Sequence, residues 1–208
     1  MYEKSVFINC PFDEKYVEIL YAITFAVVYS GFIPRSALEA VNSGEERLDK
    51  IVKIVRECGL SLHDISRVER VEAGALPRFN MPFECGIFYG AMSLGSKVHK
   101  KKQFLVLDSE PYRYQRTMSD IAGKDPQCHK DDPLQAIACV RSFLNRKDGG
   151  IPLPGDQHFL DEYARFKVDL PIVLAKMHIT EQEIKSLSYW KDYVGIAQLW
   201  ANTRAKEQ

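Results

Sequence analysis

The sequence predicts an α/β protein, a parallel sheet flanked by helices with a helical appendage at the C-terminal end. Three observations carry the prediction. Short apolar runs alternate with stretches of helical periodicity in the order β-α-β-α-β-α-β over the first 108 residues. A glycine- and proline-rich segment, Gly149 to Gly155, then reads as the clearest linker in the chain. Beyond it, residues 156–208 contain no convincing strand. The alternating order implies right-handed crossovers with helices on both faces of the sheet. The expected division is an α/β domain over 1–148 and a helical region over 156–208.

Val6 to Cys10 reads as a buried strand closed by Pro11. From Lys15 to Gly31 the apolar residues Val17, Leu20, Tyr21, Ile23, Thr24, Val27 and Val28 recur at helical spacing, and Gly31 is a natural stop. Phe32 to Leu38 is a second strand. Asn42 to Glu45 is a turn opening a helix whose apolar face carries Leu48, Ile51, Val52, Ile54 and Val55. Leu60 to Ile65 is a third strand, followed by a long loop from Ser66 to Met81. Pro82 suits the first turn of a helix running to about Leu94. Phe104 to Asp108 is the fourth strand. Residues 109–131 are polar and rich in turn formers, and Asp132 to Lys147 opens Asp-Pro as a helix would.

The chain has 208 residues, 46% of them hydrophobic, enough to bury roughly 70% of the unfolded surface without a disulfide or metal. Lys plus Arg and Asp plus Glu both number 28, so the basic excess expected of a nucleic-acid binder is missing. The five cysteines are odd in number and form no CxxC pair, which indicates a reducing compartment. No apolar run approaches 18 residues and no signal peptide is recognisable, so the expectation is a soluble cytoplasmic protein without a membrane partner.

In open parallel sheets, ligands bind outside the carboxyl ends of the strands, where strand order reverses. That rule nominates Asn9, Cys10, Pro11, Phe12 and Asp13 after the first strand. It adds Arg35 and Glu39 after the second, His63, Asp64, Ser66 and Arg67 after the third, and Asp108 after the fourth. Solvated strand ends are polar in any protein, so each residue taken singly has a bland explanation. Glu84 is the most informative position. It falls in the first turn of an otherwise apolar helix, with Gly86 and Gly90 permitting close approach to the sheet or a ligand. One reading is a helix-start acid favoured by the dipole. The other is a carboxylate at the mouth of a site, ready to attack or stabilise a developing cation.

Other chemistry is poorly represented. There is no GxGxxG after a strand and no GxxxxGK[ST]. No HExxH or paired-cysteine spacing exists, His63, His99, His129, His158 and His178 are scattered, and Cys128-His129 lacks metal-ligand spacing, so no metal centre is expected. The basic run Lys97 to Lys102 reads as a solvated loop rather than a phosphate groove. Glu183-Ile184-Lys185 mimics a nuclease element but lies in a helical pattern outside the sheet.

The opening Val6-Phe7-Ile8-Asn9-Cys10-Pro11-Phe12 resembles the first strand and Pro-Phe turn of nucleoside 2-deoxyribosyltransferases, and also the strand that opens Toll/interleukin-1 receptor (TIR) domains. The segments His63 to Arg67 and Asn80-Met81-Pro82-Phe83-Glu84-Cys85-Gly86-Ile87-Phe88-Tyr89-Gly90 are similar to both families' catalytic region, where a Glu opens the helix after the third strand's loop. The resemblance covers about residues 5–108. Cys85 stands where the transferases have Leu, and Phe83 where TIR domains commonly have Trp. The resemblance implies a flavodoxin-like or TIR-like sheet and cleavage of the N-glycosidic bond of NAD+ or a related nucleotide. It assigns Glu84 the role of stabilising or capturing the oxocarbenium-like ribosyl cation. Strand-end position alone, and not the resemblance, offers Asp64 or Ser66 for ribose hydroxyls, Arg35 or Arg67 for a phosphate, and Phe12 and Phe83 for stacking on a base. NAD+ is then a substrate and no cofactor is needed. A homo-oligomer and a place in bacterial defence also follow from the resemblance. Two alternatives stay open: a non-catalytic module that binds a nucleotide signal, and a nucleoside-processing transferase or hydrolase.

Overall fold

The computed structural model describes residues 1–39, 44, 46–68, 78–118, 125–145 and 151–207. Five parallel strands flanked by helices form one sheet, a flavodoxin-like α/β arrangement: β1 (Ser5–Asn9), β2 (Ile33–Arg35), β3 (Leu60–Asp64), β4 (Gln103–Asp108) and β5 (Gln127–Cys128). Their order is β2-β1-β3-β4-β5. All five residues of β1 and of β3 are buried, as both-face coverage of a parallel sheet requires. β2 is only three residues long and contains Pro34, which has no N–H for a ladder and belongs on an edge. β5 is a strand that the sequence does not announce: two residues, Gln127 and Cys128, are too few for any periodicity.

The helices are α1 (Val17–Tyr29), α2 (Arg47–Glu57), α3 (Asn80–Leu94), α4 (Tyr114–Thr117), α5 (Pro133–Leu144), α6 (Asp156–Met177), α7 (Glu181–Ile184) and α8 (Trp190–Glu207). Gly31, just after α1, has φ +77°, the left-handed conformation in which glycine ends a helix without strain. Much of the turn expected at Asn42 to Glu45, most of the Ser66 to Met81 loop, and Gly149 and Gly150 of the linker lie outside the described residues.

The chain divides into two compact units that are not consecutive in sequence. One comprises Met1–Pro11 and Arg35–Asp131, the other Phe12–Pro34 and Asp132–Gln208. The division therefore does not follow the glycine-rich linker. In the second unit α1 packs against α5, α6 and α8. Phe25 lies 5.0 Å from the ring of Tyr163, 5.2 Å from Phe166 and 5.9 Å from Trp200. Tyr21 stacks on Tyr193 at 4.0 Å, and Trp190 Nε1 donates to Thr24 Oγ1 at 3.0 Å. The carboxylate of Glu183 closes a capping box with Thr180 at the start of α7, which accounts for its place in the nuclease-like triplet.

In the first unit Phe7, Ile51, Ile54, Val55, Cys58 and Phe88 form a core cluster that joins β1 to α2 and α3. The basic run Lys97 to Lys102 is solvated only in part. Lys102 is buried, and its ammonium donates to the Val55 carbonyl at 2.6 Å and to that of Cys58, closing the C-terminal end of α2. Burial lowers its pKa to about 8. The five cysteines are free thiols, and among the described residues no helix is long and apolar enough to cross a membrane.

Candidate functional site

In a sheet of order 2-1-3-4-5 the ligand crevice opens where β1 and β3 diverge toward opposite edges. Asn9 and His63 are register partners at that point. Asn9 Nδ2 lies 2.9 Å from His63 Nδ1 and donates to the Met81 carbonyl at 2.9 Å. An amide nitrogen only donates, so His63 Nδ1 accepts and its proton sits on Nε2, 2.8 Å from Ser61 Oγ. Burial pushes the His63 pKa down to about 3, which keeps this ring neutral. One side chain thus ties β1 to β3 and to the first turn of α3.

That turn carries Glu84 into position. α3 begins at Asn80, so Pro82 is its third residue and Glu84 stands in the second turn. The helix-start explanation for Glu84 falls with that register, because the dipole acts chiefly on the first turn. The expected close approach at Gly86 and Gly90 is also overturned: a Cβ built at either meets open space. Glu84 is 4% exposed all the same, and Arg47 Nη2, at the start of α2, lies 3.3 Å from its Oε1. Burial raises the Glu84 pKa, and the Arg47 guanidinium pulls it back. Arg47 is itself more than half exposed, so the carboxylate has a charge partner that can reach solvent or a ligand.

Polar groups also crowd the ends of β3 and β4, but most of them are engaged with one another. Asp64 accepts from the Ser66 N–H at 2.8 Å and lies 3.0 Å from His129 Nε2. His129 Nδ1 accepts from the Asp131 N–H at 3.1 Å, which places its proton on Nε2, toward Asp64. Burial lowers the His129 pKa and the Asp64 carboxylate more than offsets it, for a net rise. Asp108 is buried and bidentate with Arg113, which also donates to the Ser66 carbonyl at 2.8 Å and so laces β4 to the end of β3. Burial raises the Asp108 pKa against the pull of Arg113.

The remaining sequence-nominated residues separate clearly. Arg35 is held by Glu39 at 2.7 Å and Glu57 at 2.9 Å, an anchorage between β2 and the end of α2. Arg67 pairs with Asp131 at 3.2 Å through one nitrogen, while its Nε has no partner among the described residues. The Ser66 hydroxyl is buried and likewise unpartnered. Asn80 is exposed, and Phe83 is 58% exposed beside Glu84. Pro11 is buried at the end of the first unit's opening segment, and Phe12 belongs to the second unit. Arg47, Arg113 and His129 were not singled out as site residues by sequence. Arg113, five residues beyond a strand-end Asp, offered the only usable signal. No group of three or more His, Cys, Asp or Glu side chains able to hold a metal ion occurs among the described residues.

Compared with known proteins, the chain matches no family model, no curated protein and no solved structure.

Proposed function

We propose that the chain cleaves the N-glycosidic bond of NAD+ or a related nucleotide, with Glu84 as the catalytic carboxylate. The observation that carries the reading is the pairing of Glu84 with Arg47, a buried acid poised between burial, which favours its neutral form, and a guanidinium, which favours its charge. Nicotinamide leaves as a neutral molecule, taking the electron pair of the C–N bond, and the ribosyl fragment develops oxocarbenium character. An ionised Glu84 stabilises or captures that cation. Water then adds at the anomeric carbon and releases a proton, giving ADP-ribose, nicotinamide and H+. Asn9 would act as a positioning residue through the first turn of α3. Phe83, exposed one residue before Glu84, would offer a ring face to the base. The resemblance to TIR domains and deoxyribosyltransferases supports this chemistry, homo-oligomeric assembly and a role in bacterial defence.

The test is incubation of purified protein, at low and high concentration, with NAD+ and a panel of nucleosides, base release being followed by chromatography. Nicotinamide release is expected from the native chain, rising more than proportionally with protein concentration. Glu84→Gln should lower it by at least about a hundredfold. Release from nucleosides alone would move the activity to nucleoside processing, and ligand binding without release would favour a signal-binding module.

A further inference from the structure

Helix α3 lacks the charged face of an ordinary surface helix, yet one of its sides meets solvent. The usual pattern stands beside it in α2, whose exposed positions include Arg47, Asp49, Lys53, Arg56 and Glu57. The sole charged residue of α3 is Glu84, and it is buried. Opposite the buried residues Met81, Glu84, Cys85 and Phe88 runs a stripe of Phe79, Phe83, Gly86, Gly90 and Ser93. Phe79 is 67% exposed, and Leu94 at the edge of the stripe is 89% exposed. An exposed apolar surface of this kind ordinarily marks a place of association.

The shape of the stripe selects its partner. Rings stand at the N-terminal end, while Gly86, Gly90 and Ser93 leave a shallow channel toward the other. A Cβ at Gly86 or Gly90 would meet nothing within the chain, so its own packing makes no use of either glycine. Glycine is a poor helix former, and what two of them permit in mid-helix is the close approach of a second helix. A lipid surface gains from protruding rings and nothing from a channel. From Phe83 to Ser93 the steps are three, four and three residues, the spacing of a helix seam and the same from either end. A second copy running antiparallel therefore sets Phe83 over the partner's Ser93 and Gly86 against the partner's Gly90. A parallel pair would crowd ring on ring at one end and leave the channel empty at the other.

We infer that the exposed face of α3 is the surface through which two copies of this chain associate, antiparallel about a two-fold axis that passes near position 88. Phe79, Phe83, Tyr89 and Leu94 together present on the order of 500 Å² in each copy, since an aromatic side chain accounts for about 150–250 Å² when fully covered. Two copies then bury about 1,000 Å², the least that a specific interface needs, which fits a reversible dimer and not a permanent one. Phe83 stands on the Glu84 side of the stripe, so its ring can meet the partner with one face and leave the other to a base. The contact does not depend on the chemistry at Glu84. If that chemistry holds, each copy steadies the helix that carries the other's carboxylate, and the concentration dependence of base release has its source here.

Sedimentation velocity of the full-length chain, from about 1 to about 200 μM and with no nucleotide present, tests the contact. A reversible monomer–dimer equilibrium is expected in that range. Gly90→Leu adds apolar surface but fills the channel, so it should weaken the dimer at least about tenfold. Its helical circular dichroism should stay unchanged, because open space surrounds that position within the chain. Phe79→Ser, which only removes contact area, should also weaken the dimer. In Glu84→Gln the dimer should persist whether or not the native chain releases nicotinamide, so the contact and the catalytic reading can fail separately. A chain that stays monomeric throughout the range overturns the inference. So does Gly90→Leu associating as tightly as the native chain, the response of a merely adhesive surface. Binding to vesicles of anionic phospholipid that Gly90→Leu retains, with no dimer in solution, would overturn it in favour of a membrane contact.

Discussion

Glu84 is buried, but the charge partner it has among the described residues, Arg47, is mostly exposed, so the ionised form is only partly compensated. A carboxyl group whose folded pKa lies above its ordinary value of 4.5 binds its proton more tightly in the folded state than in the unfolded one. Its ionisation therefore costs stability, fully at pH values above the raised folded pKa and not at all below the ordinary one. Glu84→Gln, which keeps the shape and removes the charge, should raise the melting temperature at pH 7. The gain should shrink to nothing as pH falls through the raised pKa toward 4.5. Thermal melts of both proteins from pH 4 to pH 8 check this, and a Gln variant less stable than the native chain at pH 7 would refute it. At this scale the sequence nominates Glu84 but does not disclose why its carboxyl is perturbed. An acid in an apolar helix is visible along the chain, whereas Arg47 is 37 residues away and meets it only through the packing of α2 beside α3.

Among the elements, α3 owes its place to Asn9. The β1–β3 pairing was readable because both strands are continuous apolar runs, and the register puts Asn9 opposite His63. The bond from Asn9 to the Met81 carbonyl spans 72 residues and follows from no local pattern. The sequence also starts α3 two residues late, because Pro82 suits the first position of a helix and equally well its third, before any intrahelical N–H is needed. Asn9→Leu preserves approximate volume, removes both bonds and leaves His63 Nδ1 a buried acceptor without its donor. The expected cost is about 1–3 kcal/mol. Amide exchange should accelerate in the first turns of α3 and at the ends of β1 and β3, while α6 and α8 keep their protection relative to global unfolding. Uniform acceleration through every helix would mean that Asn9 supports general stability and does not position α3 in particular.

For the molecule as a whole, the glycine-rich linker suggests an appendage that could be cut away, and the packing argues otherwise. α1 was legible as a helix from its periodicity, but eleven of its thirteen residues are buried, far more than one amphipathic stripe supplies. Much of that burial comes from the far end of the chain. Phe25 is surrounded by Tyr163, Phe166 and Trp200, Thr24 bonds Trp190, and Tyr21 stacks on Tyr193. No sequence window contains both halves of these contacts, which is why a reading along the chain divides it near residue 150. A chain ending at residue 148 would expose the aromatic face of α1 and lose the partners of two large rings, Phe25 and Tyr21, and of Thr24, where even one Phe-to-Ala cavity costs about 3–5 kcal/mol. That exceeds what a domain with a stability of about 5–15 kcal/mol can lose at several positions at once. Residues 1–148 expressed alone should therefore aggregate or bind hydrophobic dyes without a cooperative thermal transition. Adding residues 151–208 as a separate polypeptide should restore at least part of the transition if the aromatic contacts are what is missing. A cooperative transition in 1–148 alone, near the melting temperature of the full chain, would instead show that the C-terminal helices rest on α1 without supporting it.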